Sequence, residues 1–174
     1  MTSLVEQPLR RQLVMAGAGL VLTSIAVRRV LAANEMQISM AGTASGSHVW
    51  FRPRGLWVSV GQAIRWVNDD AGNVHTVTAY HPANRKPLRI PESAKGWDSG
   101  YLMPGESFVW VFATPGVYDY FCLPHEHAGM VGRIVVGDKP AADPPYRATD
   151  SKLPEVALSS FPTVEDILKN IIVE

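Results

Sequence analysis

Between residues 36 and 136 the apolar residues come in short runs, each stopped by Gly, Pro, Asn or Asp. Met36 to Met40 alternates weakly, and Val49 to Phe51 is a short apolar run. Leu56, Val58 and Val60 alternate with Trp57 and Ser59 before Gly61 and Gln62 turn the chain. Ile64, Trp66 and Val67 end at Asn68-Asp69-Asp70, and Val74 to Tyr80 is rich in β-branched residues. Phe108 to Phe112 follows the turn Pro104-Gly105, Val117 to Phe121 follows Pro115-Gly116, and Ile134 to Val136 closes the series. Short runs at turn-bounded spacing predict an all-β sandwich or barrel. No long amphipathic helix interrupts them, which argues against a βαβ fold.

Two segments break this pattern. Residues 81–100 are rich in Pro, Gly and charge and read as a long loop with one short helical turn. Residues 137–162 are Pro-rich and read as an extended strap. Thr163 then caps a short helix with apolar positions Val164, Ile167, Leu168, Ile171 and Ile172. Such a helix either packs back on the sandwich or docks on a partner.

The N-terminus reads as a leader. Arg10-Arg11 precede the apolar stretch Leu13 to Val27, whose 15 residues fall short of a spanning helix of about 18–20. Small residues at Ala32 and Ala33 offer a cleavage site. The paired arginines resemble a twin-arginine export signal, with Arg28 and Arg29 as its basic end. The alternative is an uncleaved membrane anchor. The expected organisation is a leader over 1–33, a β-domain over 34–138, and a strap with helix over 139–174. The whole chain has zero formal net charge and no Lys/Arg run, so nucleic acid finds no basic surface. Removing the leader takes four arginines and Glu6 and leaves a weakly acidic exported body, periplasmic or equivalent.

The chain has one cysteine, Cys122, so it is no disulfide scaffold. Cys122, His125 and Met130 share one tight loop between two predicted strands. Thiolate and thioether stabilise Cu(I), and imidazole suits both copper states. Two His and one Cys with a weak axial Met form a one-electron copper site. The second His must come from elsewhere, and His75 is the best candidate, with His81 its competitor. Zinc rarely takes a thioether. A two-copper centre needs a second cysteine.

Residues Cys122-Leu-Pro-His125-Glu-His-Ala-Gly-Met130 match the pattern Cys-x-Pro-His-x4-Met. With WVSVGQAIRWVNDDAGNVHTV upstream and MPGESFVWVFATPGVYDYFC between, residues 36–137 resemble the blue-copper cupredoxins, nearest to plastocyanin, pseudoazurin and halocyanin. The resemblance implies a Greek-key β-sandwich and one type 1 copper ion on His75, Cys122, His125 and Met130. It further implies a monomer that passes electrons to redox protein partners at an apolar patch around His125, formed by Leu123, Pro124, Ala128 and Met130. Several positions depart from the family. Thr76 follows His75 where relatives carry Asn, which implies a shifted potential. His127, beside Glu126, stands where Gly is usual, either as an exposed His or as a pH-responsive or second metal-binding group. His81 and Trp97 lie in the long loop, as a surface His and a core anchor. Phe121, not Tyr, precedes Cys122, which weakens a second electron exit through Phe121 and Tyr120. The reading is an electron shuttle rather than an enzyme. The alternatives are a copper carrier or store, and a small copper enzyme using His81 and His127.

Overall fold

A computed structural model describes residues 35–138 and 152–174. The leader and part of the strap lie outside the described residues.

Among the described residues, nine strands form two sheets. They are β1 (Met36–Gly42), β2 (Val49–Arg52), β3 (Gly55–Val58), β4 (Ala63–Asn68), β5 (Thr78–Ala79), β6 (Ser107–Val111), β7 (Gly116–Phe121), β8 (Val131–Val136) and β9 (Ile172–Val173). One sheet runs β2-β1-β4-β6 and the other β5-β7-β8-β3-β9. β1 pairs with β4, and β3 with β8, in parallel; the remaining pairs are antiparallel. Parallel partners cannot be joined by a tight hairpin, so the chain crosses over between them.

The alternation seen in the sequence sets the core. In β4, Ile64, Trp66 and Asn68 point inward while Ala63, Arg65 and Val67 are half-exposed. Phe51 and Trp66 of the first sheet meet Tyr120 of the second edge-on, at centroid distances of 4.8 and 5.4 Å. Ile38, Met40, Ile64, Leu56, Val58, Ile134 and Val136 fill the same layer. Trp97 is the predicted anchor of the long loop: it is buried and stacks on Trp110 at 5.2 Å. The helical turn expected in that loop is a 3-10 turn over Pro82–Asn84.

β7 and β8 lose the alternation, with nearly every residue buried. The cause is the C-terminal segment, which covers their outer face. Helix α1 (Glu155–Ser160) lies where the sequence suggested an extended strap, and helix α2 (Val164–Asn170) follows Thr163, whose hydroxyl accepts the Asp166 N–H. Val117 and Val135 pack against Val164 and Ile167. Phe121 and Val131 pack against Tyr80, Leu153 and Ala157. Two charged side chains on this face are also satisfied. Asp119 lies between Arg89 and Arg133, and Arg133 donates to the Pro162 carbonyl. Of the two fates open to the C-terminal helix, it takes packing on the sandwich.

The helix is shorter than its apolar pattern. Ile171 adopts a φ of 67°, its N–H bonds to the Ile167 carbonyl, and the chain leaves as β9 on the edge of β3. No helix among the described residues is long and apolar enough to cross a membrane.

Candidate metal centre

The β7–β8 connection is a closed loop. The Cys122 N–H donates to the Met130 carbonyl at 3.0 Å, joining its two ends. Between them Leu123–Ala128 forms a 3-10 turn with Pro124 near its start, and Gly129, at φ 80°, ends it. Glycine is the residue that adopts this left-handed conformation without strain. The Met130 N–H donates to the His125 carbonyl at 3.1 Å, so the backbone ties all three candidate residues together.

His75 reaches the loop from the segment before β5. It exchanges both backbone hydrogen bonds with Leu102, at 3.2 and 2.8 Å. Two bonds stitch this segment to the loop. The Thr76 N–H donates to Cys122 Sγ at 3.3 Å, and the Leu123 N–H donates to Thr76 Oγ1 at 2.7 Å. Thr76 thus holds both the loop and the sulfur.

The result is a convergence of donor atoms. Cys122 Sγ lies 3.5 Å from His75 Nδ1 and 3.4 Å from His125 Nδ1. The three ligand atoms all lie within 4.8 Å of one another. Metal–imidazole and metal–thiolate bonds of about 2.0 and 2.3 Å, opened to trigonal or tetrahedral angles, separate nitrogen from sulfur by roughly 3.5–3.7 Å. The donor set therefore fits a single bound ion. Met130 is fully buried in the same core cluster as Cys122. His75 and Cys122 are also fully buried, and His125 is half-buried.

The electrostatics favour a metal over a free anion. Burial pushes the Cys122 thiol up to about 11, against the opposing pull of its bonds from Thr76 and His125. Burial lowers both His75 and His125 below the ordinary histidine range. Both imidazoles are thereby neutral and offer lone pairs near neutral pH, as metal ligation requires.

Among the described residues, His75, Cys122 and His125 are the group of three metal-ligating side chains; His81 and His127 do not join it. His81 is spent locally, with Nδ1 accepting the Ala83 N–H at 3.1 Å. His127 is exposed. Two residues escaped the sequence reading. Glu126, on the ligand loop, is buried, accepts the Tyr80 hydroxyl at 2.9 Å and pairs with Lys86. Asp70 is buried with Oδ2 at 3.1 Å from His75 Nε2. In the sequence Asp70 is visible only as part of a turn, and Glu126 only as a neighbour of His127.

A two-sheet β-fold with a His-Cys-His cluster, His75 and Cys122 buried and His125 half-buried, fits a class, the small single-site metalloproteins with a mixed nitrogen and sulfur donor set. The family model of copper binding proteins, plastocyanin/azurin family, matches residues 37–137, and the chain belongs to this family. A chloroplastic plastocyanin of Tetradesmus obliquus is 36% identical over 106 residues, 61% of this chain and 70% of that one. A pseudoazurin of Methylorubrum extorquens is 31% identical over 117 residues, 67% of this chain and 71% of that one. Among solved structures, a Sinorhizobium pseudoazurin superposes with a TM-score of 0.50 at 27% identity, covering 72% of this chain and 98% of that one. The metal of this family is copper, and the His-Cys-His cluster is consistent with one type 1 ion.

Proposed function

We propose that His75 Nδ1, Cys122 Sγ and His125 Nδ1 would hold one copper ion, with Met130 as a weaker fourth ligand, and that the chain carries single electrons between redox protein partners. The observation that carries this reading is the convergence of two imidazole nitrogens on one buried thiol in a copper-family fold. Copper in such a set supplies a one-electron couple that changes charge with little rearrangement. The protein's share is rigidity. Thr76 fixes the sulfur and the loop, the Leu102 bridge fixes His75, and the Cys122–Met130 bond fixes the loop ends.

Exchange with partners is assigned to the His125 edge. His125 is half-buried, and beside it Leu123 is 47% exposed, with Pro124 and Ala128 also exposed. A small apolar patch suits brief encounters. The carrier or storage alternative wants an open, exchangeable site, whereas His75, Cys122 and Met130 are buried. The enzyme alternative wants His81 and His127 at the copper, and neither joins the cluster. We place the protein outside the cytoplasm, with residues 1–33 as its export leader, either cut after the small residues Ala32 and Ala33 or kept as an anchor.

Voltammetry of the copper-loaded protein tests the assignment. One copper per chain with a reversible one-electron wave, lost in Cys122→Ser, is the expected result. A protein that binds copper without a reversible wave, or keeps the wave in Cys122→Ser, contradicts it.

A further inference from the structure

The turn that delivers His75 encloses a carboxylate. Asn68, itself buried, takes the Asp70 N–H on its Oδ1 at 3.0 Å and gives its own amide to the Asn73 and Leu102 carbonyls. This folds residues 68–73 tightly around Asp70. Asp70 is 5% exposed. Its Oδ1 accepts the Gly72 N–H at 2.9 Å, and its Oδ2 accepts the Asn73 amide at 2.8 Å. The same Oδ2 lies 3.1 Å from His75 Nε2. At the end of β1, Gly42 makes the room, since a Cβ there would stand 2.1 Å from Asp70 Oδ2. The carboxylate is therefore built in, with donors on both oxygens, and none of these partners carries a fixed positive charge.

The two nitrogens of His75 thus have separate tasks. Nδ1 faces the Cys122 sulfur, and Nε2 faces Asp70. A carboxylate is an acceptor, so Nε2 carries the proton and donates it, leaving the lone pair on Nδ1. A carboxylate behind a ligating imidazole orients the ring and raises its basicity. It also sets a buried negative charge across the ring from the metal, where low dielectric strengthens its effect.

We infer that Asp70 is a positioning residue of the centre: it holds His75 as the Nδ1 ligand and, through the ring, favours Cu(II) over Cu(I), lowering the reduction potential. This inference rests on the copper reading above and concerns a residue which that reading does not use. It adds, beside Thr76, a second source of any potential shift, on the far side of His75.

The test is Asp70→Asn, which keeps the shape and removes the charge. The expected result is a Cu(II) affinity weakened about tenfold with Cu(I) affinity unchanged, a rise in potential of about 59 mV for one electron. The visible charge-transfer band persists. An unchanged or lower potential, with the band intact, overturns the inference and leaves the copper reading standing. Equal loss of both affinities marks Asp70 as a scaffold residue and also overturns it. A wild-type protein without the band overturns the copper reading and this inference with it. A second measurement needs no variant: nitrogen NMR of the metal-free wild type. A His75 ring protonated at Nε2, with a slowly exchanging proton, supports the inference. A ring protonated at Nδ1 overturns it.

Discussion

Cys122 shows how far one residue's meaning depends on its surroundings. Alone it is a small buried group; with two imidazole nitrogens within 3.5 Å it becomes the centre of a site. Its raised pKa has a consequence for the metal-free protein. A buried thiol near 11 stays protonated where the unfolded chain, with an ordinary thiol value of 9.0, has ionised. Folding stability from this group is complete below about pH 9 and falls as pH rises towards about 11. Denaturant unfolding of the metal-free protein across that window is expected to show the loss, and Cys122→Ser to show less of it. An identical loss in both would contradict the account. At this scale the sequence was most legible where the partners are local. Cys122, His125 and Met130 sit within nine residues and announce themselves by spacing. His75 was preferred over His81 from the strand motif around it, and it is His75 that lies with Cys122 and His125, while His81 Nδ1 accepts the Ala83 N–H. Asp70 and Glu126 were not legible, because their meaning comes from burial. Their partners His75, Tyr80 and Lys86 reach them only through the fold.

At the scale of elements, the ligand loop is held from outside as well as from within. A Cβ on Gly129 would come within 2.6 Å of Ser160 Oγ in α1, and within 3.4 Å of Val156. Together with the positive φ, this makes Gly129→Ala a variant expected to disturb the loop, broadening the copper EPR signal; an unaltered spectrum would show that α1 does not constrain the loop. The segment is itself anchored by α2. Ile167 is fully buried against β3 and β8, and Ile167→Ala is expected to cost about 2–5 kcal/mol. Thr163→Ala, which removes the cap, is expected to cost about 1 kcal/mol. Chemical denaturation checks both, and neither should move the visible band, since both lie away from the ligands. The start of α2 was readable from Thr163 and the spacing of Val164, Ile167 and Leu168. Its end was not, because Ile171 and Ile172 continue the helical pattern while the backbone turns at Ile171 and pairs Ile172 with Leu56. α1 was missed because the prolines around it pointed to extended chain, and because its buried face is short, with Ala157 as its fully buried residue.

Over residues 35–138 and 152–174 together, the two sheets enclose one aromatic core, and the C-terminal segment seals the outer face of β7 and β8. This changes the electron paths considered from the sequence. Phe121, the start of the second exit, is fully buried beneath Tyr80, Leu153 and Ala157, with the Lys86 ammonium 4.8 Å from its ring centre. His125 is the candidate ligand with partial exposure, which supports the exchange edge proposed above. Leu123→Glu should therefore slow electron exchange with a partner protein several-fold while leaving the potential nearly unchanged; stopped-flow kinetics would show it, and an unaffected rate would move the docking face elsewhere. The all-β class was legible because turn residues bound every run. The sealing of β7 and β8 was not, since strands buried on both faces carry no alternation to reveal what covers them.

The central claim is a single copper held by two imidazoles, one thiolate and a weak thioether. Visible absorption and EPR of the copper-loaded wild type test it most directly. The account predicts an intense thiolate-to-copper band with small copper hyperfine splitting, the signature of a short copper–thiolate bond in trigonal geometry. A pale protein with the wide splitting of tetragonal Cu(II) would contradict it.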